Sequence, residues 1–184
     1  MERVEYPISP KYIPNWSVGE ALRELIANAL DTDTPTKFSW KNGNAYIADS
    51  ANGIPRPYWV FGEGQHGEIG QFGEGLKLAM LVLAREKRDV VVSTAGYDVA
   101  PSIQYSSVFQ TNVLILDYVQ TAKISGTSIS VQCSKAEYRE TKERFLALSP
   151  VKFLHRKLGI INVSTKLYIN GVYVQKISSL WGYN

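Results

Sequence analysis

Glu24, Asn28 and Asp31 stand at i, i+4 and i+7 of a predicted helix, so they share one of its faces. Two carboxylates and an amide so arranged put three polar groups on one line of the helix, where they could act together, although alone the pattern is a weak signal. The face is expected opposite the helix's apolar stripe, where acidic side chains are usually just solvated. Asn28 argues for more than solvation. Asn is a weaker helix former than Glu or Lys, yet it sits mid-helix between Ala27 and Ala29, as if its amide oxygen were needed.

Three further segments could carry chemistry. Asp49-Ser50-Ala51-Asn52-Gly53-Ile54-Pro55 follows a predicted strand. A strand-end Asp followed by small residues and Gly lets backbone and a planar ligand approach closely, although the same pattern also makes an ordinary Asx turn. Gly70-Gln71-Phe72-Gly73-Glu74-Gly75-Leu76-Lys77 leads into an apolar helix. Glycines before a helix N-terminus expose N–H groups to an anion, and Lys77 adds a charge in the first turn. Gly126-Thr127 opens a strand and alone says little. Two look-alikes fail. Gly62, Gly64 and Gly67 spell G-x-G-x-x-G, but no βαβ unit surrounds them. Gly70 to Lys77 imitates a phosphate loop, but Lys77 does not directly follow Gly75, and Leu78 stands where a magnesium-binding Ser or Thr belongs.

The elements that position these groups follow from periodicity. Val18, Ala21, Leu22, Leu25, Ile26, Ala29 and Leu30 recur at helical spacing. Asn15 or Ser17 can cap that helix, and Pro35 prevents its continuation. Lys37–Trp40 and Ala45–Ala48 read as strands joined by an Asn42-Gly43 hairpin turn. A turn over Asp49–Pro57 leads to an aromatic segment, Tyr58–Phe61. Residues 62–75 hold six glycines and read as a mobile loop. Leu76–Arg85 is apolar nearly all round and reads as a buried helix. Val90–Thr94, Ser102–Phe109, Asn112–Val119 and Thr127–Cys133 read as strands. Lys135–Leu148 reads as one amphipathic helix ended by Pro150. Lys166–Ile169 and Val172–Lys176 flank Asn170-Gly171, the clearest hairpin signal in the chain. Early helices followed by a run of strands imply an α+β, two-layer sandwich with helices on one face of a mostly antiparallel sheet.

Composition bounds the rest. The chain has 184 residues, 45% hydrophobic and 20% charged, enough for one self-sufficient core. The single Cys133 excludes an internal disulfide framework and a four-cysteine zinc site. No apolar run approaches the ~20 residues of a membrane span. The charged start, Met1 to Glu5, lacks a secretory h-region. The expectation is a cytoplasmic domain with no membrane partner. The formal charge of +3 is unevenly spread: residues 1–92 carry net −2, residues 93–184 net +5, and no acid follows Glu143. Such a basic half suits a protein or nucleic-acid partner, or is simply a solvated surface.

The four segments together, in this order and spacing, resemble the nucleotide-binding domain of the GHKL ATPases, the superfamily of gyrase B, heat-shock chaperone, MutL, MORC and histidine-kinase domains. Glu24 to Asp31 resembles its E-x-x-x-N-A-x-D box, Asp49 to Gly53 its D-x-G-x-G box, Gly70 to Lys77 its second glycine box, and Gly126-Thr127 its Gly-Thr pair. The resemblance covers roughly Trp16 to Val131. Ala51 replaces the first glycine of the D-x-G-x-G box, which is tolerable if φ there is negative.

The resemblance implies the Bergerat-type ATP-binding fold over 1–150; the hairpin around Asn170-Gly171 matches none of the family's boxes, and 151–184 is expected to be an extension packed on the same domain. It implies ATP and Mg2+ as ligands. Asn28 would supply its side-chain oxygen to magnesium, and Glu24 would activate the attacking water. Asp49 would accept from the adenine amino group, with Gly53 and Ile54 beside the base and Thr127 supporting it through water. Asp31, Gly70, Gly73, Gly75, Leu76 and Lys77 complete the nucleotide set, and residues 62–72 would be the lid. A nucleotide-dependent homodimer is a further implication. Slow turnover is expected, since no transducer domain follows to supply a lysine. The alternatives are a nucleotide-sensing module with little turnover and, less favoured, a histidine-kinase-like domain. His66 and His155, the two histidines, read as surface residues.

Overall fold

Ser17 starts the first helix, α1 (Val18–Leu30), through a capping box: its Oγ accepts from the Gly19 N–H at 3.2 Å, and Glu20 accepts from the Ser17 N–H at 3.0 Å. The bounds match the apolar periodicity. The computed structural model describes residues 1–60, 74–149, 153–155, 160–161, 166–177 and 182–183. Two compact units are present, Met1–Tyr138 and Arg139–Asn184.

The first unit is built on a sheet of β1 (Glu2–Tyr6), β2 (Lys37–Lys41), β3 (Asn44–Asp49), β4 (Val90–Thr94), β5 (Tyr97–Ser106), β6 (Thr111–Gln120) and β7 (Thr127–Gln132). Their order is β1-β6-β5-β4-β7-β3-β2, and every neighbouring pair is antiparallel. The β2–β3 turn places Asn42 and Gly43 at φ +51° and +81°, as the Asn-Gly pair predicts. Helices lie on one side: α1 packs on β3 and on α2 (Gly75–Arg85), and α2 packs on β5 and β4. The fold is therefore α+β, as the order of elements implies. Directly paired residues share a sheet face, so Ile47, Ile129, Val92, Val99 and Tyr118 form one buried row across five strands. Among the described residues no helix is long and apolar enough to cross a membrane.

Four expectations are corrected. Strand β1 has no counterpart in the sequence reading: it is five residues long, at the sheet edge, and only Val4 and Tyr6 mark its inner face. Strand β5 begins at Tyr97 rather than Ser102, because Pro101 lies just past the last β4 pair, Val92 with Val99, where its missing N–H costs no ladder bond on that side. The aromatic segment after Pro55 is a 3₁₀ turn, Arg56–Trp59, with Trp59 buried edge-on against Tyr118. The long charged helix stops early, as α3 (Lys135–Lys142).

The second unit explains that stop. It contains β8 (Phe153–His155), β9 (Ile160–Ile161), β10 (Lys166–Ile169), β11 (Val172–Lys176) and β12 (Gly182–Tyr183), in the order β11-β10-β12-β9-β8. Phe145 turns extended, at φ −102° and ψ 121°, and bridges Val172. The Arg144 carbonyl accepts from Tyr173 N–H and Leu146 N–H donates to the Gly171 carbonyl, both at 2.7 Å. Backbone groups that would continue the helix thus pair with the hairpin. Its Asn170-Gly171 turn lies at φ +50° and +76°, and Leu146, Tyr168 and Tyr173 pack together.

Candidate functional site

A cavity of about 570 Å³ opens between α1 and the sheet of the first unit. Helix α1 supplies Leu25, Asn28 and Ala29 to its wall, with Asp31 and Thr32 at the helix end. Ile47 and Asp49 of β3 and Thr127 and Ile129 of β7 form the floor. Residues 50–55 and Tyr58 make the rim, and Leu76 of α2 closes one side.

The floor is set by strand register. Asp49 pairs with Thr127, and Thr127 pairs with Thr94, so three polar side chains line up across three strands. Asp49 Oδ1 accepts from Ala51 N–H at 2.9 Å and from Thr127 N–H at 3.3 Å. Both bonds fall on one oxygen; among the described residues Oδ2 has no donor. Thr94 Oγ1 accepts from Ile54 N–H at 2.6 Å and lies 3.1 Å from Thr127 Oγ1. The backbone is packed to match. Gly53 is at φ +80°, and a Cβ there would lie 2.9 Å from Thr94 Oγ1. Gly126 is at φ +77°, and a Cβ there would collide with the Asp49 carbonyl. Ala51 is not among the positive-φ residues, so alanine fits where a glycine box would place glycine. The rim is tied to the end of α1 by Ser50 N–H donating to Thr34 Oγ1 at 3.2 Å and Ser50 Oγ donating to the Pro35 carbonyl at 3.2 Å.

The wall differs from expectation in one respect. The Glu24, Asn28 and Asp31 face is not a solvated outer face, because α1 is flanked by both α2 and β3 and buries residues on more than one side. Asn28 opens on the cavity and makes no hydrogen bond among the described residues. The Glu24 side chain is only 13% exposed, lies against the start of α2 and pairs with the Arg23 guanidinium. A Cβ on Gly75 would strike the Glu24 carboxylate. Burial raises the Glu24 pKa above its ordinary value; Arg23 opposes that shift and the Asp31 charge adds to it. Arg23 itself lies 6.0 Å from the Trp16 ring centroid.

Of the expected site residues, Asn28, Asp31, Asp49, Gly53, Ile54, Leu76 and Thr127 come together on the cavity. Glu24 and Gly75 touch each other beside it. Lys77, in the first turn of α2, is fully buried and does not line the cavity. Gly70 and Gly73, the glycine-rich loop with its expected lid, and His66 lie outside the described residues. Thr94 and Thr34 were not anticipated. For Thr94 a signal exists: Val90, Val92 and Thr94 share one parity, so a hydroxyl stands at an inward position in a row otherwise made of valine.

The donor set bears on magnesium. Among the described residues no cluster of three His, Cys, Asp or Glu could hold a metal by itself. Asn28 offers one unpartnered amide oxygen with the Asp31 carboxylate along the same wall. That suits an ion which takes few protein oxygens and keeps waters and ligand phosphates. Cys133 is buried, and burial pushes its thiol pKa up, which disfavours the thiolate.

No protein-family profile matches the chain. It is similar to an "Uncharacterized protein" of Mycoplasma pneumoniae, 27% identical over 185 residues, which covers 88% of this chain and 75% of that protein. Among solved structures it is similar to the ATPase region of Saccharomyces cerevisiae topoisomerase II, at 12% identity and TM-score 0.42, over 86% of this chain and 49% of that one. The same region bound to dexrazoxane matches at 13% and 0.42, over 87% and 49%. The N-terminal domain of a DNA repair protein matches at 16% and 0.32, over 67% and 42%. The chain spans about half the length of the first two of these structures.

Proposed function

We propose that this chain binds ATP with Mg2+ in the cavity between α1 and the sheet and hydrolyses it slowly, as a conformational switch of the GHKL type. The observation that carries the reading is Asp49: a carboxylate on the cavity floor with Oδ1 fixed by two backbone N–H groups and Oδ2 left to meet a donor. An adenine amino group is such a donor, and guanine presents a carbonyl in its place.

The remaining residues divide the work. Ile47, Ile129 and Leu25 offer apolar surface to a base. Asn28 supplies the amide oxygen for the metal beside the triphosphate, and the metal would neutralise phosphate charge there. Glu24, held beside the start of α2, is the group to accept a proton from the attacking water, and its raised pKa brings it nearer working pH. The Arg23 pairing occupies the same carboxylate, which supports slow turnover.

Calorimetry of the full chain with ATP and with GTP, with and without Mg2+, tests the reading. The expected result is magnesium-dependent ATP binding with GTP much weaker. Phosphate release measures turnover, and the mass of the complex with a non-hydrolysable analogue reports dimerisation. Equal affinity for ATP and GTP, or no ATP binding, overturns it.

A further inference from the structure

Thr94 lies in the row behind the cavity floor, and no part of the sequence reading assigned it a role. It is 1% exposed. Among the described residues its Oγ1 has two hydrogen-bond neighbours: the Ile54 N–H, which can only donate, and Thr127 Oγ1 at 3.1 Å. A hydroxyl carries one proton and can accept twice. With Ile54 donating to it, Thr94 has one acceptor within reach for its own proton among the described residues, and that acceptor is Thr127 Oγ1. The reverse arrangement, Thr127 donating to Thr94, would strand the Thr94 proton in a buried site. Buried donors are almost always satisfied.

We propose that Thr94 is a positioning residue that fixes the hydrogen-bond polarity of Thr127, and thereby makes the cavity floor selective for an edge that pairs a donor with an acceptor. With Thr94 donating to it, Thr127 keeps its own proton to present to the cavity. The floor then shows an acceptor at Asp49 Oδ2 and a donor at Thr127, directly or through a water. Adenine matches this with its amino group and adjacent ring nitrogen. Guanine opposes it twice, with a carbonyl at the acceptor and a ring N–H at the donor. The inference rests on the nucleotide reading above and deepens it: discrimination comes from three strands acting in series, of which only two face the ligand.

The test is the ratio of ATP to GTP affinity in the full chain. Thr94→Val keeps the shape, removes the hydroxyl and frees Thr127 to rotate and accept. The ratio should narrow by roughly tenfold, chiefly through better GTP binding, and Thr94→Ser should rescue it. In a Thr127→Val background, Thr94→Val should leave the ratio unmoved. A Thr94→Val protein that loses affinity for both nucleotides in equal proportion overturns the proposal, because that is the signature of a merely structural role. A wild-type protein that binds neither nucleotide removes the nucleotide reading while Thr94 is still tested in the free protein. There, proton NMR should detect a slowly exchanging Thr94 hydroxyl with a contact to Thr127, and amide exchange at Ile54 should be slow. A Thr127 hydroxyl proton directed at Thr94, or an Ile54 amide that exchanges freely, overturns the inference without any variant or ligand.

Discussion

On the sheet floor, Asp49 Oδ1 holds two backbone N–H groups and Thr94 links Ile54 to Thr127. On the α1 wall, Asn28 has no hydrogen-bond partner among the described residues, and Glu24 is held by its own neighbour, Arg23. The contrast follows from the elements. Strand pairing brings Asp49, Thr127 and Thr94 into register as direct neighbours, at the spacing where short polar side chains bond each other. A helix places Glu24 and Asn28 one turn apart on one face, but the Glu24 carboxylate is taken up by Arg23 and the two do not bond each other. The floor is therefore ordered before any ligand arrives. On the wall, only Asn28 among the groups discussed has no hydrogen-bond partner among the described residues, and affinity is most sensitive where partners are gained.

The largest expected effect on binding lies on the wall. Asn28→Ala should abolish magnesium-dependent ATP binding, a loss of roughly 100-fold or more, as expected for a bond to a charged partner. Calorimetry with and without Mg2+ measures it, and unchanged affinity would remove Asn28 from the site.

Glu24→Gln comes next. It should bind ATP within a few-fold of wild type while hydrolysis falls by roughly 10²–10⁴-fold, the usual contribution of a general base. Its pH behaviour adds a second reading. Burial raises the folded-state pKa of Glu24 above its unfolded value, so the folded chain holds that proton more tightly. Stability then falls as pH rises through this window, and the deficit persists at neutral pH. Glu24→Gln should melt above wild type at pH 7 and lose that advantage below about pH 4, where both states are protonated. Identical melting at both values would mean that burial of Glu24 imposes no such cost.

The floor is tested through its backbone. Gly126→Ala puts a methyl group against the Asp49 carbonyl at a positive φ, and neither the strand nor the turn can yield cheaply. A loss of about 1–3 kcal/mol in urea unfolding is expected, with weaker ATP binding because Asp49 moves. A variant as stable as wild type would show that the floor is softer than its packing implies.

Legibility in the sequence divides along the same line. Helix α1 and the hairpins at Asn42-Gly43 and Asn170-Gly171 could be read directly, because periodicity and turn chemistry are local. Asp49 and Thr127 could be singled out as strand-end residues, but their bonding could not, since it depends on which strands pair. Thr94 shows why: its role appears only once β4 is known to lie beside β7. The burial of Glu24 was hidden because α2 covers that side of α1. The end of α3 was hidden because its helical pattern continues past Lys142, while Phe145 is claimed by a strand 27 residues further on.

Gly75→Ala should have the smallest effect, and it sharpens the contrast with Gly126. The added methyl group meets the far end of the Glu24 side chain rather than backbone. A carboxylate on a flexible stem can swing by one rotamer, and alanine at the first residue of α2 is a better helix former than glycine. The two effects oppose, so stability should change by less than about 0.5 kcal/mol. Function should not follow stability. Displacing Glu24 from the start of α2 moves the proposed base while leaving Asp49 and Thr127 in place, so hydrolysis should fall with ATP affinity little changed. Paired unfolding and turnover measurements on the two glycine variants decide the matter: Gly126→Ala should lose stability and binding together, and Gly75→Ala should lose turnover alone. If Gly75→Ala destabilises the chain as much as Gly126→Ala does, the helical wall is as rigid as the floor and the distinction between them fails.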